Sequence, residues 1–219
     1  MVMDEQMTTG EMSKRGRFIV FEGGEATGKT TQSKILADKI GATWTREPGG
    51  TELGVRIRAL CLDDDGSEGP TPRTEMLLMA ADRAQHVESM IEPLLNSGVD
   101  VVCDRFSASS VAYQGAGRGM DEGFVRRVDE MARGGVAPDL VIVIDVSDEL
   151  RRERLAGRGG SDRLEAAGHE FHERVAASFR AQAAAGENFV LVSGDGEIDE
   201  VAERVEKAVQ EHLGAVRTS

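Results

Sequence analysis

Gly23-Gly24-Glu25-Ala26-Thr27-Gly28-Lys29-Thr30 decides the fold. The stretch fits the pattern G-x-x-x-x-G-K-[ST]. It stands between Arg17 to Phe21, which reads as a short buried strand, and Lys29 to Ile40, which reads as a helix with Ile35, Leu36 and Ile40 on one side. The spacing has a chemical reason. Glycines let successive backbone N–H groups turn inward around phosphate oxygens, and the helix start adds unpaired N–H groups and partial positive charge. Gly23 to Thr31 would form this cradle, with Lys29 reaching the β- and γ-phosphates of a nucleoside triphosphate and the Thr30 hydroxyl placed to ligate Mg2+. The bland alternative is a chance glycine-rich turn before a helix.

Outward from the loop, strand and helix patterns alternate. Thr43 to Thr45 is a second strand candidate, ended by Pro48-Gly49-Gly50. Val99 to Cys103, Leu140 to Asp145 and Phe189 to Val192 are three more. Leu140 to Asp145 is apolar and rich in β-branched residues, as expected of a strand covered on both faces. Helical spacing links Leu53, Ile57 and Leu60, then Glu75 to about His86, then Val87, Ile91 and Leu94. Further stripes run through Phe124, Val128 and Met131, through Phe171, Val175 and Phe179, and through Ile198, Val201, Val205 and Val209. The alternation predicts an α/β protein: a central parallel β-sheet of about five strands with helices on both faces, in three layers. One domain over 17–213 is the economical reading. Residues 1–16 are polar and aperiodic and read as a disordered leader, and 214–219 as a tail.

Composition narrows the function classes. The 219 residues are 40% hydrophobic and 30% charged, which suits a folded chain with a real core. Twenty-six basic against 39 acidic residues give a formal net charge of −13. That argues against nucleic-acid binding through a broad basic face and leaves anions to local positive sites. Cys61 and Cys103 are too few for a disulfide scaffold or a four-cysteine zinc site, and read as small apolar fillers. No apolar run reaches membrane-span length and no signal-peptide core precedes Gly16, so no membrane partner and a cytoplasmic location are expected. His169 and His172 lack a third ligand, and Asp63-Asp64-Asp65 reads as a solvated loop. A guanine-reading N-K-x-D motif is absent, which favours a kinase or ATPase over a GTP switch.

Four more segments narrow the acceptor. They are Thr45-Arg46-Glu47-Pro48-Gly49-Gly50-Thr51, Ala80-Ala81-Asp82-Arg83-Ala84-Gln85-His86, Asp104-Arg105-Phe106 running on to Ser109-Ser110-Val111-Ala112-Tyr113-Gln114-Gly115, and Arg158-Gly159-Gly160-Ser161-Asp162-Arg163. With Phe21-Glu22-Gly23 before the phosphate loop, the order resembles the thymidylate (dTMP) kinase family over roughly residues 17–213. The resemblance implies a P-loop kinase fold, ATP as phosphoryl donor, Mg2+, dTMP as acceptor yielding dTDP for dTTP synthesis, and a homodimer. The Val87 to Leu95 helix is the expected interface. Adenine is expected near Ser193 and Gly194. The nearest competitors are a kinase for a different nucleotide or a nucleoside, and a non-catalytic nucleotide-binding regulator.

Roles follow from the resemblance residue by residue. Arg105 lies just past a strand's carboxyl end, where open α/β sheets bind ligands, and would hold the dTMP phosphate through paired hydrogen bonds. A structural ion pair is its bland alternative. Asp104 would join Thr30 as a magnesium or water ligand, or else cap the next element. Arg83 matches the family arginine on the thymine edge. Four residues earlier the family usually stacks a phenylalanine on the base; here Met79 stands, either beside the base or in the core. Pro48 would wall the base and sugar, Arg46 would supply polar contacts, and Ser109, Tyr113 and Gln114 would line the nucleoside pocket. A lid at about 151–165 carries Arg151, Arg152, Arg154, Arg158 and Arg163 among glycines. Arg158 is the expected catalytic cation, alongside Lys29 and Arg105, because the phosphate loop itself lacks a basic residue before Lys29. Glu25 would orient the sugar 3′-hydroxyl or a bound arginine.

Overall fold

Five short runs become the strands of one parallel sheet in a computed structural model that describes residues 15–63, 68–156, 163–164 and 167–214. They are β1 (Phe18–Glu22), β2 (Thr43–Arg46), β3 (Val101–Asp104), β4 (Leu140–Asp145) and β5 (Phe189–Ser193), in the order β2-β3-β1-β4-β5. Register decides where the chemistry gathers. Asp104 is opposite Phe21 on one side and Arg46 on the other, so the carboxyl ends of β2, β3 and β1 finish level.

The helices are α1 (Lys29–Ile40), α2 (Glu52–Leu62), α3 (Pro72–His86), α4 (Glu92–Asn96), α5 (Ser107–Ser110), α6 (Glu122–Arg133), α7 (Asp148–Ala156), α8 (His169–Ala185) and α9 (Ile198–Leu213). Side chains alternate across each strand, and in β1, β3 and β4 both sets are buried. Ile19, Phe21, Val102, Leu140, Ile142 and Ile144 meet Leu36, Ile40, Val205 and Val209 of α1 and α9. Phe18, Val20, Val101, Cys103, Val141 and Val143 meet the opposite layer, which includes Val87, Ile91, Phe106, Val175 and Phe179. Burying each such aliphatic or aromatic side chain stabilises the fold by roughly 1.5–3 kcal/mol. Polar caps set several helix starts: the Thr51 and Asp121 side chains accept from Gly54 N and Phe124 N at 3.0 and 2.7 Å.

Two stretches wind as π-helix. Val87–Ile91 joins α3 to α4, and Val111–Gly117 continues α5. Of the Val87 to Leu95 segment expected as an interface, Val87, Ile91 and Leu95 pack into the core beneath the sheet, while Met90, Pro93 and Leu94 stay at least partly exposed. Exposed apolar side chains stand on α2 (Leu53, Val55, Leu60), α3 (Leu77), α6 (Met131), β5 (Leu191) and α9 (Ile198).

Gly16 N donates to Leu95 O at 2.8 Å and Arg15 pairs with Asp139, so both residues join the fold. The rest of the expected leader (1–14), the part of the lid that holds Arg158 (157–162 and 165) and the tail (215–219) lie outside the described residues.

Candidate active site

The phosphate loop leaves β1 through Gly23 at φ 140°, where an added Cβ would sit 2.3 Å from Ile144 O on β4. It enters α1 through Gly28 at φ 90°. Only glycine takes both backbones without strain. Gly28 supplies no side-chain cap, so the first N–H groups of α1 stay open to a ligand. Lys29 is buried and donates from Nζ to Gly24 O at 2.8 Å, and Thr27 Oγ1 donates to the same carbonyl at 3.2 Å. Burial, then the charge of Arg105, lowers the Lys29 pKa, while Glu25 and Asp104 oppose them.

Thr30 and Asp104 come together at the floor of the site. Thr30 Oγ1 donates to Asp104 Oδ2 at 2.5 Å. Asp104 Oδ1 is buried and has no hydrogen-bond partner among the described residues. An orphaned carboxylate oxygen beside a hydroxyl is a donor set that fits a hard cation such as Mg2+. Asp104 does not cap the next element; the Glu22 carboxylate does, accepting from Phe106 N and Ser109 N.

Arg105 closes the turn after β3 with φ 75°, a left-handed conformation costly for a side-chain-bearing residue. Its backbone N donates to Phe21 O at 2.8 Å. Its guanidinium donates to Gly23 O at 3.0 Å, Ser109 Oγ at 3.2 Å and Glu25 Oε1 at 2.5 Å. It also lies over the Tyr113 ring, whose hydroxyl donates to the same Glu25 oxygen at 2.6 Å. Burial alone would raise the Glu25 pKa. The charges of Arg105 and Lys29 outweigh it and hold the carboxyl well below the usual range, so Glu25 is ionised. Of the two partners expected for Glu25, the structure supplies the arginine.

A second buried cation stands across from it. Arg83 Nε donates to Glu47 Oε2 at 2.9 Å, and Nη1 donates to Asp129 Oδ1 at 2.7 Å and Ser110 Oγ at 2.9 Å. The other Glu47 oxygen meets His86 Nδ1 at 3.0 Å, and His86 Nε2 meets Thr45 Oγ1 at 2.7 Å. A guanidinium buried in this way is stable only because carboxylates surround it. Met79, one turn earlier on α3, is 9% exposed; it packs in the core and also lines the cavity. Gln114 Nε2 donates to Glu75 Oε1 at 2.9 Å. Arg46 Nε is buried with no partner among the described residues.

The site arginines, Lys29, Thr30 and Asp104 face one cavity of about 210 Å³. Glu25, Ala26, Gly28, Lys29, Thr30 and Thr31 line it from the phosphate loop; Arg46, Pro48, Met79, Arg83, Asp104, Arg105, Ser109, Tyr113 and Gln114 line it from the other motifs. Gly23, Gly24 and Thr27 shape the loop from behind.

The thymidylate kinase family model matches residues 21–205. The chain belongs to the thymidylate kinase family. A thymidylate kinase of Synechococcus sp. (strain CC9605) is 42% identical over 208 residues, covering 90% of this chain and 99% of the relative. One from Pelotomaculum thermopropionicum is 48% identical over 176 residues, covering 78% and 81%. The crystal structure of thymidylate kinase from Ehrlichia chaffeensis superposes with a TM-score of 0.73 at 30% identity, over 90% of this chain and all of that one.

Against the thymidylate kinase pattern, the lid arginines divide by role. Arg151 is buried and braces α7 through Asp148 Oδ1 at 2.8 Å. Arg152 is exposed. Arg154 donates to Ala26 O and to Gly194 O, each at 3.3 Å, tying α7 to the phosphate loop and to the turn after β5. Arg163 N donates to Leu62 O, and Leu164 beside it lines the cavity. Sequence reasoning passed over the carboxylates that hold the thymidylate kinase arginines, Glu22 and Asp129 above all. A usable signal existed: Glu22 ends a wholly apolar strand, and Asp129 falls on the helix stripe shared by Val125 and Ala132.

Proposed function

We infer that the chain transfers the γ-phosphoryl group of ATP to dTMP, releasing dTDP and ADP. The observation that carries this reading is the single cavity shared by Lys29, Arg105 and Arg83. Lys29, Arg46, Arg58, Arg83 and Arg105 on one cleft, in a chain of net charge −13, suit the meeting of two polyanions. Lys29 and the open N–H groups of α1 hold the ATP phosphates. Arg105 holds the dTMP phosphate, with Glu25 and Ser109 fixing its fork. Arg83 takes the thymine edge, and Met79 and Pro48 give the base apolar walls. The acceptor oxygen belongs to a phosphate already ionised near neutral pH, so no general base is needed.

Thr30 and Asp104 would hold Mg2+. When bound, the ion neutralises charge on the β- and γ-oxygens. Arg158 would bring the final cation when the lid closes. The protein works in the cytoplasm as a homodimer, formed through the face of α2, α3 and α6 that carries Leu53, Leu60, Leu77 and Met131.

A coupled ADP-release assay with dTMP, dUMP, dCMP, dGMP and thymidine tests the reading. Turnover with dTMP well above the others is expected. Absence of dTMP turnover overturns it, and nucleotide binding without any turnover would identify a regulator instead.

A further inference from the structure

Glu22 lies outside the active-site cavity and is fully buried at the end of β1. Its Oε1 accepts from Phe106 N at 2.9 Å and Ser109 N at 3.1 Å, and its Oε2 accepts from Ser109 Oγ at 2.6 Å. Those three donors bracket Arg105. Phe106 N fixes the peptide that follows the left-handed residue. Ser109 Oγ accepts in turn from Arg105 Nη1 at 3.2 Å. One carboxylate therefore restrains the backbone of the strained turn and, through a single hydroxyl, the guanidinium it presents.

We propose that Glu22 is the positioning residue of the acceptor-phosphate site: it holds Arg105 in its left-handed turn with the fork aimed into the cavity. The proposal rests on the reading of Arg105 as the dTMP phosphate ligand and deepens it. Without the carboxylate, the peptide that follows Arg105 loses its anchor, and the strain at φ 75° is opposed only by the bonds of Arg105 to Phe21 O, Gly23 O and Glu25. A fork displaced by even an ångström loses much of its binding to a phosphate. The thymine end depends on Glu22 far less: Arg83 takes its hydrogen bonds from Glu47, Asp129 and Ser110, and Glu22 acts on it only through space.

Binding of dTMP and of thymidine to the full chain separates positioning from general support. Glu22→Gln keeps the side-chain shape but removes the charge and one acceptor. It is expected to weaken dTMP about tenfold, as for loss of one charge-assisted hydrogen bond, with thymidine affinity and the KM for ATP unchanged. Equal losses for dTMP and thymidine, or no loss for either, overturn the proposal. Arg105→Ala is measured in parallel: if it leaves dTMP affinity intact, the reading of Arg105 fails, whatever Glu22→Gln does. Glu22→Asp keeps the charge but withdraws it from Ser109. It is expected to lose dTMP affinity less than Glu22→Gln, again sparing thymidine, and it decides the question if Glu22→Gln does not fold.

Discussion

Arg105 and Glu25 meet at 2.5 Å, with side chains 15% and 14% exposed, although one belongs to the turn after β3 and the other to the phosphate loop. The pair joins the acceptor side of the cleft to the donor side. A bidentate fork sharing its contacts among a carbonyl, a hydroxyl and a carboxylate cannot be copied by an ammonium.

Arg105→Lys is therefore expected to raise the KM for dTMP at least about tenfold. The KM for ATP should move little. Steady-state kinetics with each substrate varied in turn checks this; equal effects on both would mean that Arg105 supports the cleft without choosing a ligand.

Lys29→Met preserves the aliphatic stem and removes the charge. Its ammonium reaches Gly24 O inside the loop, so the fold should tolerate the change while kcat falls by roughly 10²–10³. A chain that melts normally and still turns over at native rate would contradict the assignment of Lys29 to the ATP phosphates.

Glu22 makes stability depend on pH. Burial raises its carboxyl from 4.5 to about 7, against the opposing pull of Ser109, Arg105 and Phe106 N. An acid whose folded pKa is raised contributes most below the unfolded value and loses that contribution as pH rises through the folded value. The shift corresponds to about 3 kcal/mol at most. Glu22→Gln abolishes the effect, so its stability relative to the native chain should climb between about pH 4.5 and about pH 7 and then level off. Denaturant unfolding across that range measures it; a flat difference would mean that Glu22 titrates normally.

Met79→Phe restores an aromatic ring at the stacking position. Base–aromatic stacking is worth about 1–3 kcal/mol, so dTMP should bind more tightly. Calorimetric titration gives the answer. Weaker binding with a lowered melting temperature would mean that the core contacts of Met79 prevail over its cavity face.

Much of this was legible in the chain. The phosphate loop, the strands and the place of Arg105 past a strand end were read from the sequence pattern, because a parallel sheet buried on both faces favours apolar runs and places its loops at one edge, whereas Arg83 and Met79 were picked out through the family resemblance. The 107–117 helix was not legible, since a π-helical pitch and two glycines erase the 3.6-residue stripe. Nor were the partners of the two site arginines. Glu22, Glu47 and Asp129 come from three separate segments, and only the register of β1 on β3 and the packing of α3 on α6 bring them under Arg105 and Arg83. The Val87–Leu95 stripe could not distinguish core from interface, because both bury apolar side chains at the same spacing.

The most direct test is a crystal structure of the chain with dTMP and ADP. The account predicts the dTMP phosphate on the fork of Arg105, its thymine between Met79 and Arg83, and the ADP β-phosphate within hydrogen-bond reach of Lys29, the two phosphate ends facing each other. A dTMP phosphate bound away from Arg105, or nucleotides with their phosphates turned apart, would contradict it.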